Sequence, residues 1–568
     1  MYKRFRAFAF FCFFVLIAFT QQENVRTTVI YLEQSHSAVR RESMPDVQII
    51  FGDLEHGRQV RFRHDGAVMY SDSAHINNRE NTFNAFGNVR IIEGDSIFIY
   101  GDYLFYDGNT RFARLRQNAR LISGNATLTT DLLNYDRNLD LAFFSTGGKL
   151  EDGQNTLTSV WGQFSPATNQ AVFRNNVRLK NENLRMYSDT LRHNTASGIA
   201  DIVGFTHIIH NDETNIFTTL GWHNTETEQS MLFNRSLIVH EGGRTITGDT
   251  LFHDAQKQFV EAFSRVEMVD STQQATLRGN YVFFNELTEF GFASGEALFI
   301  DWSTEDRLYL HADTLQVSKD SIFDVFRALH NVRFYRSDLQ GASDSLVYHE
   351  RSSTATMFGQ PVVWSGENQL SGEIIRAYIV DEVIERIHIP RNALIVQYVE
   401  DELFNQLSGR ELVAFMRDGE LHRVQISGNA ETIYFPINDS DSTIIGINKT
   451  ESSYVNMFFR DQTIERIVLT TVSTGVMHPL DELSDDEMFL NGFFWLAEQQ
   501  PRRPEDVFKR FDNNRHASSV VRVRSATMGG APAAPRQQGA TREADHSVDL
   551  QQQATPAGNR RPPPPSNR

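Results

Sequence analysis

The chain has 568 residues, a formal net charge of -18, 43 phenylalanines and a single cysteine. An acidic chain repels the phosphate backbone of nucleic acids, so this composition argues against a nucleic-acid-binding function. The length does not fix a domain count, because a repeat array grows by adding units to one continuous core.

The N-terminus is typical of a secretory signal peptide. Three basic residues among the first six precede an apolar run from Phe8 to Phe19. We therefore predict a signal peptide over residues 1–20, followed by a linker over 21–46. A permanent membrane anchor is the alternative, although the run is shorter than the ~20 residues that a span needs. Cys12 lies inside this run, so the mature chain relies on neither disulfides nor thiol chemistry.

A phrase with a central aspartate then recurs about every 30 residues, which is the signature of a repeat architecture. It reads Tyr-Ser-Asp-Ser-Ala at 70–74 and returns at 100–104, 128–132, 187–191, 247–251, 311–315 and 341–346. A second phrase follows each copy about 15 residues later. It reads Phe-Gly-Asn-Val-Arg-Ile at 86–91 and returns at 116–121, 175–179, 330–334 and 427–430.

Apolar residues alternate with polar ones inside each unit. Phe83, Ala85, Val89 and Ile91 are separated by asparagine and arginine, and later units repeat this pattern. A period of two indicates β-strands with one buried and one solvated face. Stacked units would place their apolar faces in one continuous interior. We predict an all-β, elongated, solenoid-like array with an apolar interior along its axis.

The repeats are clearer in some parts of the chain than in others, and this difference divides the chain into segments. Clear repeats cover 47–205, further repeats cover 206–400, and degenerate ones cover 401–480. Residues 481–500 are predicted to form a helical or amphipathic cap. Periodicity is lost over 501–568, a segment rich in Arg, Gln and Pro, which we predict to be disordered.

Three motifs resemble catalytic or metal-binding sites but lack the additional residues that such sites require. Gly94-Asp-Ser-Ile97 resembles an esterase nucleophile block, yet no base and orienting group accompany the serine. His207 and His210 are three apart and would point to opposite faces of a strand. The repeated aspartates could bind calcium, but turn capping explains their glycine and serine neighbours better. We predict no enzymatic activity, catalytic residue, metal site or cofactor.

The two phrases together resemble the OstA-like family, which includes the periplasmic lipopolysaccharide-transport protein LptA and the N-terminal domain of LptD. The clearest copies span 70–91, 100–121, 187–209 and 311–334, and a degenerate form runs from about 47 to about 472. The body is longer than a minimal member and resembles the long OstA-like proteins of the Bacteroidetes type.

This resemblance implies that the array is an open β-jellyroll. It also implies a periplasmic protein that shields the acyl chains of lipid A and bridges the inner and outer membranes. Its implied partners are lipopolysaccharide and LptC-like and LptD-like proteins, which would also supply any membrane association. We expect the first strands, near residues 47–63, to pair edge-to-edge with such a partner. A structural or adhesive β-solenoid without a lipid groove is the alternative. The residues predicted to contact lipid are inward-facing positions of the clear repeats: Phe83, Ala85, Val89, Ile91, Leu115, Leu121, Phe173, Val177 and Leu179.

Overall fold

The computed structural model describes residues 29–381, 383–400, 403–417, 420–438, 443–460, 463–480, 482 and 484–511. In this part the chain is all-β, as predicted from the alternation, and its antiparallel strands form the jellyroll-like array that the resemblance implied. The predicted signal peptide over 1–20 lies outside the described residues.

Strands succeed one another along the whole array. The first eighteen are β1 (Tyr31–Gln34), β2 (Ser37–Arg40), β3 (Val47–Phe51), β4 (Val60–His64), β5 (Ala67–Ser71), β6 (Ser73–Asn77), β7 (Thr82–Glu93), β8 (Ile97–Asp107), β9 (Phe112–Ser123), β10 (Ala126–Asp136), β11 (Leu141–Phe144), β12 (Gly148–Asp152), β13 (Asn155–Ser159), β14 (Trp161–Ser165), β15 (Gln170–Lys180), β16 (Leu184–Asn194), β17 (Ile199–His210) and β18 (Thr214–Asn224).

The remaining strands are β19 (Gln229–Phe233), β20 (Ser236–His240), β21 (Arg244–Gly248), β22 (Thr250–Asp254), β23 (Phe259–Asp270), β24 (Ala275–Asn285), β25 (Phe290–Asp301), β26 (Leu308–Asp320), β27 (Phe323–Tyr335), β28 (Gln340–His349), β29 (Thr354–Phe358), β30 (Val362–Ser365), β31 (Asn368–Ser371), β32 (Ile374–Val380), β33 (Val383–Ile389), β34 (Ala393–Tyr398), β35 (Phe404–Gly409), β36 (Glu411–Arg417), β37 (Glu420–Tyr434), β38 (Ile447–Arg460) and β39 (Thr463–His478). Short 3₁₀ turns occupy Leu54–His56, Glu350–Ser352, Asp485–Met488, Ala497–Gln499 and Pro504–Phe508.

Each long strand bends in its middle, so that its two halves belong to two facing sheets. The first half of β7 pairs with β6 and the second half with β5, and the register shifts between Phe86 and Val89. We call the sheet containing β6 sheet I and the sheet containing β5 sheet II. The bends connect the two sheets along one side of the array, which we call the corner. The strand ends lie along the opposite side of the array, which we call the mouth.

The two repeated phrases meet at this corner. Asn88 adopts a left-handed backbone conformation in the bulge of β7 and donates a hydrogen bond to the Asp72 carboxylate, at 2.7 Å. Asn118 donates to Asp102 in the same way, at 2.6 Å, and Arg265 to Asp249 at 2.8 Å. Capping of the bend by these aspartates explains why both phrases recur together.

The residues predicted to be a linker contain strands. β1 pairs with β4 and β2 pairs with β3, so residues 31–40 form the first layer of the array. Consequently Ile49 and Val60 are buried positions within the sheets, and the prediction of a free edge near residues 47–63 is wrong. Within the described part of the chain, the N-terminal edge is formed by β1 and β2, whose residues are all exposed and which pair on one side.

Residues 484–511 form a strap across the outer face of sheet II. Buried glutamines of the sheet bind its backbone: Gln406 donates to Met488 O at 2.8 Å, and Gln369 donates to Phe494 O at 2.9 Å. Arg333 donates to the carbonyls of Gln499 and Lys509.

Of the predicted helical or amphipathic cap over 481–500, the described residues form 3₁₀ turns and no α-helix, and they pack on the sheet as an extended cap. The predicted disordered tail begins too early at residue 501, since Val507 is fully buried against Leu298 and Ile300. The rest of that prediction, over 512–568, lies outside the described residues.

Candidate functional site: the interior between the sheets

The inward positions of both sheets form one apolar core. It includes all nine residues predicted to contact lipid, and each of them is at most 1% exposed. The alternation therefore predicted the inward face correctly. It did not predict that this part of the interior is filled by side chains from both sheets.

Aromatic rings fill the N-terminal half of the interior. Phe62 of sheet II stacks on Phe83 of sheet I, with ring centroids 4.4 Å apart. Further along, the Phe144 ring occupies the space that Cβ atoms at Gly148 and Gly162 would need, at 2.6 and 2.5 Å. These glycines allow the ring to sit between the sheets, so this half has no open groove.

Polar side chains close the mouth of the same half. Arg137 of sheet I donates to Glu93 of sheet II at 2.8 Å and to the Tyr106 hydroxyl at 2.8 Å. His64 contacts the same hydroxyl at 2.7 Å. Burial raises the pKa of the Tyr106 hydroxyl, so it stays protonated and can donate. We call these residues the first latch.

A second latch joins the strand ends in the middle of the array. His193 of sheet I bonds Asp152 of sheet II at 2.6 Å, and both side chains are buried. His210 and His240 of sheet II approach Glu228 and Glu286 of sheet I at 3.7 and 3.6 Å.

Two further histidines line the inside of this region. Burial, with the neighbouring His210, lowers the pKa of His223 to about 3. The same two causes lower the pKa of His253 to about 4. Both rings are therefore neutral at ordinary pH, which suits an apolar surrounding.

The C-terminal half of the interior is more open. Thirteen apolar residues are only partly buried against the core, and all except Ile97 lie at or beyond Met268: Met268, Leu277, Phe299, Leu308, Phe326, Leu339, Leu346, Leu370, Ile384, Ile395, Leu421 and Phe459. In the described part of β25 to β36, no hydrogen bond or ion pair crosses the mouth. Sequence reasoning missed this contrast, although inward-facing His, Glu and Arg at strand ends mark the closed half.

The C-terminal end of the array is also exposed. Among the described residues, β39 pairs with β38 alone, and its inward-side residues Ile467 and Leu469 are 37% and 39% exposed. A strand of 16 residues thus presents one unpaired edge and an apolar face.

The residues of the motifs considered for catalysis have structural roles. His207 points outward and stacks on Phe217 at 4.5 Å, whereas His210 points inward, as the strand period predicts. Gly94 to Asp95 form the turn between β7 and β8. Among the described residues, no group of three His, Cys, Asp or Glu side chains is arranged to hold a metal ion. In the same part of the chain, none of the helices has the length and apolarity to cross a membrane.

Comparison with known proteins supports the resemblance over the first repeats. Residues 26–189 match the family described as OstA-like protein, which confirms the resemblance for that segment. A crystal structure of LptH, the LptA homologous periplasmic component of the lipopolysaccharide transport device from Pseudomonas aeruginosa, aligns at 16% identity. The alignment covers 25% of this chain and 99% of that one, with a TM-score of 0.20. No curated protein matches the chain.

Proposed function

We propose that this chain, which has an OstA-like region over residues 26–189, binds lipopolysaccharide or a similar glycolipid and carries it across the periplasm. It acts without catalysis, by covering the acyl chains with an apolar interior. It works as a bridge between the inner and outer membranes, together with other OstA-like proteins.

The half-buried apolar residues of the C-terminal interior carry this proposal. Leu277, Phe299 and Phe326 pack against the core while remaining partly exposed, so an acyl chain can cover them without displacing a filled core. Each methylene that leaves water gains about 0.8 kcal/mol, and several acyl chains therefore supply a large driving force.

The nine residues predicted from the sequence have a different part in this proposal. They lie where aromatic rings and the two latches close the interior, so lipid reaches them only when the sheets separate at the mouth. We propose that the C-terminal half receives the lipid first and that the N-terminal half opens afterwards.

The free strand edges support the bridging part of the proposal. β1 with β2 at one end and β39 at the other expose backbone donors and acceptors, which favour pairing with strands of a partner. Docking by LptC-like and LptD-like partners at these two edges would extend the interior from one protein into the next.

A structural β-solenoid without a lipid groove is the second candidate. The filled N-terminal half favours it, because Phe144, Phe164 and Phe173 leave no room for a ligand there. The two candidates differ in the C-terminal half, where only the transport proposal gives a role to exposed inward-facing residues.

A photo-crosslinking amino acid at Leu277 or Phe326 tests the proposal in cells. We expect both positions to capture lipopolysaccharide. The matched controls are the outward-facing strand neighbours Arg278 and Arg327, which should capture little. Equal capture from both faces, or none from the inward positions, would contradict lipid transport and favour the structural solenoid.

A further inference from the structure

The outer face of sheet II is basic over its N-terminal part, although the chain as a whole is acidic. Between β1 and β16, only Glu33 and Glu151 supply outward acids on these strands, whereas the outward cations number eight: Arg61, Arg63, Arg90, Arg120, Lys149, Arg178, Lys180 and Arg185. We call these eight residues the basic face. With 72 acids and 54 Lys and Arg in the chain, an even distribution would give more acids than cations here.

Strand register places the central cations in one row with tyrosines. Tyr70 pairs with Arg90, Arg90 with Tyr100, and Tyr100 with Arg120. The Arg90 guanidinium lies 4.4 Å from the Tyr70 ring centroid, and that of Arg120 lies 5.0 Å from the ring of Tyr100. Cation–π contact holds each guanidinium flat on the sheet while leaving its charge unneutralised.

Carboxylates neutralise only part of the basic face. Arg61 and Arg63 pair with Glu33, Lys149 with Glu151, and Arg185 with Asp212. Among the described residues, Arg90, Arg120 and Arg178 form no ion pair. These three guanidiniums are therefore available to an external anion.

An apolar row runs beside the row of cations. Ile92 pairs with Phe98, and Phe98 with Ile122, so three half-buried apolar side chains face the same solvent as the guanidiniums. Basic and apolar side chains side by side are typical of surfaces that bind the headgroup region of a bilayer.

We infer that the basic face docks onto the surface of an anionic phospholipid bilayer. Sheet II has ten strands from the one that carries Arg61 to the one that carries Arg185, and at the usual strand spacing these span about 40 Å. The face thus spreads its cations along one side of a sheet, which suits several phosphate groups of a bilayer surface better than a single small anion. Charge complementarity supplies the attraction, at a site remote from the interior that handles acyl chains.

Vesicle binding by the full chain tests this inference. The probe is a vesicle of phosphatidylcholine with about 30 mol % phosphatidylglycerol, compared with one of phosphatidylcholine alone. We expect co-sedimentation with the anionic vesicle only, and a marked loss of binding between about 0.15 M and about 0.5 M salt.

Two triple variants distinguish the effect of the basic face on binding from the effect of the net charge of the chain. Replacing Arg90, Arg120 and Arg178 with Gln should weaken binding to the anionic vesicle about a hundredfold. The control replaces Arg114, Arg116 and Arg174 of sheet I with Gln, which removes the same charge and similar aromatic contacts. This control should change binding less than about threefold.

Three results would overturn the inference. They are the absence of binding by the unaltered chain, an equal loss in both triple variants, and release by free phosphate that chloride of matched ionic strength does not reproduce. The last would identify a site for a small anion. None of these results depends on acyl-chain capture at Leu277 or Phe326, so failure here leaves the transport proposal to its own test.

Discussion

The two halves of the array share the same strand plan but differ in what lies between the sheets. In the N-terminal half, stacked rings such as Phe62 and Phe83 fill the interior, and Arg137 and Glu93 join its mouth. In the C-terminal half, Leu277 and Phe326 remain partly exposed, and the strap supports the outside. The difference teaches that the repeat sets the number and bend of the strands, whereas residues at strand ends decide whether the interior is closed.

Removal of the strap should break the C-terminal half and spare the N-terminal half. A chain that stops after Leu480 loses the buried Met488, Phe493, Phe494 and Val507. Burial of these side chains outweighs their ordering entropy by roughly 5 kcal/mol, so β25 to β37 should lose most of their hydrogen-exchange protection. A chain that stops after Phe511 is the matched control and should keep the full protection. Equal loss of protection in β7 to β10 would show that the two halves unfold together.

Loss of the first latch should open the mouth of the N-terminal half, so that its interior becomes accessible like that of the C-terminal half. Arg137→Met removes the guanidinium that donates to both the Glu93 carboxylate and the Tyr106 hydroxyl, and leaves them with Tyr135 and His64 as partners, at a cost of about 3 kcal/mol in unfolding free energy. Chemical denaturation measures this cost, with Arg114→Met on the outer face as the control. In the same variant, a photo-crosslinker at Leu115 should begin to capture lipid. Capture at Leu115 in the unaltered protein would remove the contrast between the halves.

The buried histidines should make the middle of the array sensitive to acid. Burial lowers the folded pKa of His253 to about 4, below its unfolded value near 6.5. The unfolded chain therefore binds the proton more readily, and stability falls as the pH drops from about 6.5 to about 4, by roughly 2–3 kcal/mol for this group. His253→Gln should flatten this part of the pH profile in urea denaturation.

The smallest effect is expected at the corner, which both halves share. Asn88→Ala removes the bond to Asp72 and places alanine at a positive φ, which should cost about 1 kcal/mol. Asn88→Gly should cost less, because glycine adopts this backbone conformation freely. Thermal denaturation of the two variants distinguishes backbone strain from the lost side-chain bond, and equal losses would assign the whole effect to that bond.

The sequence alone was sufficient for the strands and their faces. Alternation placed Phe83 and Val177 inside and Arg90 and Arg178 outside, because the side-chain period of a strand depends only on local geometry. The recurring Asp72 and Asn88 likewise mark one corner per unit, although their hydrogen bond was not predicted. These features are local, and they repeat.

Features that depend on distant residues were not predictable in this way. Arg333 and Lys509 are far apart in the chain, and no periodic pattern links them. Whether Phe144 fills the interior depends on glycines at positions 148 and 162, whose role is visible only in three dimensions. The edge assigned to residues 47–63 failed for a simpler reason, since two short strands of only four residues each precede it.

The unbroken succession of strands has a consequence for how the chain acquires its structure. Each strand pairs mainly with the strands before and after it, so most contacts are short in sequence and can form in the order in which the chain is synthesised. The strap is the exception, because Gln369, Gln406 and Arg333 must wait for residues more than 80 positions later. Folding of the C-terminal half therefore ends with a late, long-range docking step of the strap. In a chain interrupted before that step, the sheets are complete but the apolar outer face of sheet II is uncovered. Such a species is the one on which a chaperone or protease would act.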